Sequence, residues 1–139
     1  MISYQVELSL ELNEFQFILE DSGLSARRPM ENPQLLERML LGSNLLITAR
    51  SEGQLVGLLR GLSDFCYRSF IADLAVARTY QGKGIGSQLI QMARNQTPEA
   101  RLFLFSAEEA APFYEKIGFH LHQRCYQLKA GEKFIHQFP

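Results

Sequence analysis

The spacing of hydrophobic and polar positions predicts strands and helices along almost the whole chain. Alternating residues, and short apolar runs between turn residues, predict strands at residues 2–10, 45–50, 55–62, 67–77, 101–105 and 121–128. Apolar residues at helical spacing predict helices at residues 13–21, 33–41, 87–95 and 108–117. Asn13 and Asn32 are the expected N-caps of the first two helices, and Gly118 the left-handed stop of the last.

The order of these elements predicts an α/β domain. Short turns separate the middle strands, which are therefore expected to be antiparallel, whereas residues 70–105 form a strand–turn–helix–strand unit with a parallel crossover. We expect a mixed, mainly antiparallel sheet of about six or seven strands with flanking helices. A chain of 139 residues fits one domain, residues 1–139.

Composition narrows the class of protein. The chain is 46% hydrophobic and 21% charged, as in soluble globular proteins. Its net charge of −1 gives no basic footprint, so nucleic acid is not an expected partner. No apolar run is long enough for a membrane span, and the acidic N-terminus does not resemble a secretory signal, so we expect a cytoplasmic protein without membrane contact.

Cysteine and histidine usage suggests neither a disulfide nor a metal site. Cys66 and Cys125 are expected to be reduced in that compartment. His120 and His122 share one face of a predicted strand, but a third ligand is not evident, and we expect no metal.

The glycine-rich turn after the fourth predicted strand is the most informative segment. Gly82, Gly84 and Gly86 precede a helix, and residues without a Cβ let an anion approach the backbone closely. The N–H groups of such a turn lie at the positive end of a helix dipole. A plain connection would not need three glycines, so the pattern predicts a phosphate site.

Three kinds of phosphate loop have glycine-rich turns of this general type. The spacing of a P-loop does not occur. A dinucleotide-binding fingerprint would need glycine where Ser87 stands, and the next strand ends at Phe105-Ser106 without the expected acid. The pyrophosphate loop of acyl-CoA enzymes is the third kind.

Two motifs resemble the GNAT superfamily of N-acetyltransferases. The turn is similar to the family's [RQ]xxGxG/A signature and follows a similar apolar strand, and residues 110–119 resemble its helix that carries a tyrosine and ends in Gly-Phe. The resemblance is specific over residues 71–119, and element order extends it to most of the chain. It implies a splayed central pair of parallel strands.

The resemblance implies acetyl-CoA as co-substrate, without a metal. The Leu74 carbonyl and the Val76 N–H would pair with the pantetheine arm, and the Val76 N–H would stabilise the oxyanion. The implied cofactor-binding residues are Leu74, Ala75, Val76, Gln81, Gly82, Lys83, Gly84, Ile85, Gly86 and Ser87.

The implied reaction is direct attack of a primary amine on the thioester through a tetrahedral intermediate. Tyr114 matches the family's general acid, and a phenol is protonated at neutral pH. The alternative is that Tyr114 is a core aromatic on a helix face.

The base is where the chain departs from the family pattern. Phe70 occupies the position of a glutamate found in some members. Asp73 is the nearest acid and a candidate substrate-binding residue, but strand alternation places it on the opposite face from Phe70 unless a bulge intervenes. We therefore expect a water relay. Arg27 and Arg28 could attract an acidic acceptor, although a solvated charged loop is the expected role.

Two other classes of function stay open. One is a non-catalytic acyl-CoA-binding or sensing module, and the other is a nucleotide-dependent oxidoreductase that uses the glycine turn. For the enzyme, the expected partner is a small-molecule or peptide amine acceptor, and the expected state is a monomer or homodimer.

Overall fold

The secondary structure closely follows the predicted order of elements. A computed structural model describes residues 1–136 and forms two compact units, Met1–Phe105 and a second unit that begins at Ser106. The strands are β1 (Ile2–Val6), β2 (Leu45–Ser51), β3 (Gln54–Ser63), β4 (Arg68–Val76) and β5 (Arg101–Leu104). The helices are α1 (Leu12–Ser22), α2 (Pro33–Leu41), α3 (Ile85–Gln96) and α4 (Ala111–Lys116), with short 3-10 helices at Leu24–Arg27, Arg78–Tyr80 and Glu108–Ala110.

The sheet lies in the first unit and has its strands in sequence order. β1 to β4 pair antiparallel, and β5 pairs with β4 in parallel after the crossover through α3. This arrangement confirms the predicted mixed, mainly antiparallel α/β architecture. Short turns can join the antiparallel strands, whereas the parallel pair needs the longer crossover.

The strand count was overestimated. The sheet of the described residues has five strands, and the parallel pair lies at its end rather than at its centre. The alternating segment 121–128 forms no strand there, and Leu121 and Tyr126 are 87% and 93% exposed. Alternation shows only that a segment could serve as a strand, because a ladder also needs a partner for its N–H and C=O groups. β1 is also shorter than predicted: it ends at Val6, and Leu8 is fully exposed.

Helices cover both faces of the sheet. The Arg60 guanidinium lies 5.7 Å from the centre of the Phe15 ring of α1, whereas a Cβ added to Gly57 would meet Ile85 and Leu89 of α3. Gly57 and Arg60 are three positions apart on β3, so a Cβ at Gly57 and the Arg60 side chain point to opposite faces. The residues that fill the two interfaces are buried, as their helical spacing predicts: Phe15, Ile18, Leu19, Leu89, Ile90 and Ala93.

The helix ends follow local chemistry with one exception. The Asn32 side chain accepts a hydrogen bond from the Leu35 N–H at 3.1 Å, which confirms the predicted cap. Gly118 has a φ of +104°, as expected for the stop of α4. Asn13 is not the cap of α1, because the helix already begins at Leu12 and the Asn13 side chain accepts only the N–H of Glu14.

One arginine links the sheet to α1 at the β1 edge. The Arg50 guanidinium donates to Glu7 at 2.9 Å and to Glu14 at 2.6 Å, and all three side chains are largely shielded from water. The hydrogen bond from Arg50 is the main cause that lowers the pKa of Glu7 to about 2. A carboxyl group whose pKa is lowered by folding stabilises the folded state only while it is ionised.

Replacement of Glu7 should therefore change how stability depends on pH. Glu7→Gln should lower the melting temperature at neutral pH, and the difference from wild type should shrink as pH falls from 4.5, the ordinary pKa, towards about 2. Melting curves of both proteins by circular dichroism across this range test the expectation. A difference that stays constant with pH would contradict the assignment of the ion pair.

Candidate active site

The glycine-rich turn after β4 has the backbone conformation that only glycine adopts without strain. Gly82 and Gly84 have φ values of +78° and +84°. A Cβ built at either position would meet no atom within 4 Å. Glycine is therefore required by the positive φ of the backbone and not by lack of space for a side chain. Residues 81–84 are exposed, and the space in front of the turn is open to a ligand.

The turn presents unpaired backbone donors at the start of α3. Within the described residues, the N–H groups of Gly84, Ile85 and Gly86 donate no backbone hydrogen bond, as is usual for the first turn of a helix. The twelve-residue helix adds its dipole at this end. Lys83 contributes a positive charge, with its ammonium 5.4 Å from the centre of the Tyr80 ring. Such a donor set fits a pyrophosphate group.

The last half of β4 has an edge without a partner strand. The parallel pairing with β5 ends at Ile71 and Leu104, although β4 continues to Val76, and no other strand of residues 1–136 pairs with this edge. The Ala77 N–H donates to the Val56 carbonyl at 2.8 Å, so by alternation the backbone groups of Ala75 are also directed towards β3. By alternation, the Leu74 carbonyl and the Val76 N–H point to the open edge.

Gln81 connects the open edge to the glycine turn. Its side-chain amide donates to the Val76 carbonyl at 2.9 Å and, more weakly, to the Ser22 carbonyl at 3.5 Å. The Val76 carbonyl is thereby satisfied, and the Val76 N–H is left for a ligand. Ile85 is 3% exposed and packs in the core, so at this site it offers only its main chain.

Asp73 lies in a buried cluster with two arginines. Its carboxylate accepts Arg28 Nε at 2.7 Å and Arg60 Nε at 2.5 Å, and its side chain is fully shielded from water. Only 18% of the Arg28 side chain is exposed, so its predicted place in a solvated loop is wrong. A buried carboxylate is a strong partner for a guanidinium, and Arg28 folds inwards to reach it. Arg27 is exposed, as expected.

A bulge places Asp73 on the same face of the sheet as Phe70. Arg60 faces Asp73, but the next residue of β3, Gly61, faces Ile71, so Ala72 is one extra residue in β4. Leu62 faces Phe70, and Leu62 and Arg60 share one face of β3. The simple alternation that separated Phe70 from Asp73 therefore does not hold.

Tyr114 belongs to the second unit. Its half-buried ring makes edge contacts with Phe113 at 5.1 Å and Phe119 at 5.6 Å between ring centres. The Phe119 N–H donates to the Tyr114 carbonyl at 2.9 Å, so the chain folds back on the end of α4 as predicted. Its role as the general acid stays a prediction.

The described residues contain neither a metal-binding cluster nor a helix suited to a membrane. No group of three or more His, Cys, Asp or Glu side chains in residues 1–136 is arranged to hold a metal ion. Among those same residues, none of the helices combines the length and the apolar character that a membrane crossing requires.

Sequence reasoning missed the Arg28–Asp73–Arg60 cluster, although a signal for it was present. Arg60 and Asp73 each interrupt an apolar strand, and these two strands are joined by a short turn. Charged residues inside a sheet are rarely buried unless they are paired. An ion pair between them follows from that rule, but the contribution of Arg28, 45 residues away from Asp73, does not.

The likeness to known proteins agrees with this geometry. An acetyltransferase of the GNAT family from Streptococcus pneumoniae superposes with a TM-score of 0.77 and 26% identity, over 93% of this chain and 96% of that one. A predicted acetyltransferase from Clostridium acetobutylicum, solved with acetyl-CoA, has a TM-score of 0.70 and 15% identity, over 93% of this chain and 96% of its own.

Sequence comparison gives the same family. The chloroplastic GCN5-related N-acetyltransferase 2 of Arabidopsis thaliana is 32% identical over 73 residues, which are 50% of this chain and 28% of that protein. The chain thus matches less than a third of that relative's length. The family model for the acetyltransferase (GNAT) domain matches residues 21–136, which is most of the chain. The chain therefore belongs to the GNAT family of acetyltransferases.

Proposed function

We propose that the protein is an N-acetyltransferase that moves an acetyl group from acetyl-CoA to a primary amine, by direct attack through a tetrahedral intermediate. The observation that carries the proposal is the joint presence of a glycine turn at the N-terminus of α3 and an unpaired edge at the end of β4. A pyrophosphate and an extended amide-bearing arm need these two features side by side.

Each part of the proposed site has a distinct task. The N–H groups of Gly84, Ile85 and Gly86 hold the pyrophosphate, and Lys83 adds charge. The Leu74 carbonyl and the Val76 N–H pair with the amides of the pantetheine arm as a neighbouring strand would. Acetyl-CoA supplies the activated acyl group, and the Val76 N–H stabilises the oxyanion that forms on it.

The proton of the amine leaves through water in this proposal. Phe70 cannot accept a proton, and both carboxylate oxygens of Asp73 already accept guanidinium hydrogen bonds in a place shielded from solvent. A general base must have a lone pair within reach of the proton that it removes. This arrangement favours the relay over Asp73 even though the bulge turns Asp73 to the Phe70 face. Tyr114 protonates the departing thiolate.

The glycine turn is tested by Gly84→Val. A branched side chain at a φ of +84° strains the turn and enters the space that the pyrophosphate would fill, so acetyl-CoA binding should be lost. Gly86→Val should act in the same direction by adding bulk to the first turn of α3. Calorimetric titration of the folded variants with acetyl-CoA measures the effect.

Gly53→Val is the matched control for Gly84→Val. Gly53 has the same φ of +84° and equally open surroundings, but lies in the turn between β2 and β3. It should reproduce the backbone strain and leave acetyl-CoA affinity intact. Equal affinities in the Gly84→Val and Gly53→Val variants would refute the pyrophosphate site.

The general acid is tested by Tyr114→Phe. The phenylalanine ring keeps the contacts with Phe113 and Phe119, so the fold should survive, while turnover should fall by roughly 10²- to 10⁴-fold. Thiol release from saturating acetyl-CoA over a panel of small amines and peptides measures turnover and identifies the acceptor. Tyr126→Phe, at a tyrosine that is 93% exposed, is the control that should not change it. A Tyr114→Phe enzyme as fast as wild type would leave Tyr114 a packing residue.

A further inference from the structure

We propose that Arg28 is a positioning residue that fixes the bulge of β4 and thereby sets the open edge to which the pantetheine arm binds. The inference rests on the proposed function for the identity of the ligand. The geometry that it concerns, the Arg28–Asp73–Arg60 cluster and the bulge at Ala72, lies entirely within the first unit.

The bulge is located where β4 parts from β5. The last parallel pair joins Ile71 to Leu104, and the extra residue of β4, Ala72, follows immediately. A bulge bends its strand and increases the local twist. The bend therefore begins at the first residue that β5 no longer holds, and it determines how far the rest of β4 diverges.

Arg28 holds the bulge at two successive residues. Its Nη2 donates to the Ala72 carbonyl at 3.0 Å, and its Nε donates to the Asp73 carboxylate at 2.7 Å. Its Nη1 donates to the carbonyl of Arg27 at 2.8 Å, which fixes the loop from which the side chain comes. The planar guanidinium makes these contacts together in one rigid fork.

The second arginine anchors the same carboxylate to the sheet. Arg60 lies opposite Asp73 on β3, and its guanidinium also donates to the Met39 carbonyl at the end of α2 and to the Ser43 hydroxyl. Arg60 therefore links Asp73 to α2 and β3, and Arg28 links the backbone of β4 at Ala72 to the loop at Arg27. Asp73 is the only acid that pairs with either arginine among residues 1–136, so its removal would leave two shielded cations unpaired.

The backbone groups that would bind the ligand lie only a few residues beyond the bulge. Leu74 and Val76, whose backbone groups point to the open edge, are two and four residues beyond Ala72. A change in the bend at Ala72 rotates both groups with respect to an extended ligand. Arg28 is not proposed to contact the reacting atoms; it acts only through the shape of β4.

The direct test is Arg28→Lys, which keeps the charge and replaces the rigid fork by a single ammonium. The dissociation constant for acetyl-CoA should rise about tenfold, which corresponds to about 1.4 kcal/mol. Arg28 is chosen because it is the most exposed member of the cluster, so the variant is expected to fold. Arg50→Lys is the matched control, since the Arg50 guanidinium also donates to three partners, Glu7, Glu14 and the Gly53 carbonyl, but at the β1 edge.

A second readout needs no acetyl-CoA. Backbone amide exchange should quicken in the peptide 72–77 of Arg28→Lys, and in the peptides of β1 and β2 in Arg50→Lys. Failure of the wild-type protein to bind acetyl-CoA would overturn the proposed function, while the exchange pattern would still decide whether Arg28 holds the bulge. Unchanged exchange at 72–77 in Arg28→Lys would overturn the positioning role. Equal losses of acetyl-CoA affinity in the two lysine variants would do so as well.

Discussion

The separation of β4 from β5 is the constraint on which the site depends. A parallel strand that stayed paired along its whole length would leave no backbone group for a ligand. Here β4 leaves its neighbour after Ile71, at the extra residue Ala72, and the chain then reaches the glycine turn at Gly82. Backbone groups at the edge of β4 and at the start of α3 are therefore free to bind a ligand. The proposed binding of acetyl-CoA depends on these groups.

The separation of the two strands removes backbone hydrogen bonds of the sheet, and the buried Arg28–Asp73–Arg60 cluster supplies a replacement at Ala72. The Ala72 carbonyl has left the regular ladder and needs another donor, which Arg28 supplies. Arg28 in turn needs an anion in a place shielded from water, and Asp73 provides it with help from Arg60. The bulge of β4, the position of the loop that carries Arg28 and the pairing of Asp73 with both arginines therefore depend on one another.

The sequence predicted features whose cause is local. The Asn32 cap, the left-handed Gly118 and the glycine turn each follow from the conformations that one residue type prefers. The antiparallel pairing of the middle strands followed from their short turns, and the parallel pair from the crossover through a helix. A contact between residues far apart in the sequence cannot be predicted from local preferences. Arg28 was predicted to be a loop residue because nothing within its own segment indicates the carboxylate 45 positions away. The bulge is equally hidden, since one extra residue in a strand leaves the apolar pattern around Asp73 unchanged.

Joint binding of acetyl-CoA by the glycine turn and the open edge of β4 can be measured residue by residue, in a titration followed by backbone amide NMR. The largest shifts should occur at Val76 and at Gly84, Ile85 and Gly86, with little change at Gly53 in the β2–β3 turn. NADH should not reproduce the pattern, because Ser87 stands where a dinucleotide site has its third glycine and the following strand ends without the acid of such a site. Shifts confined to other residues, or an equal response to NADH, would show that the turn and the edge do not form an acetyl-CoA site.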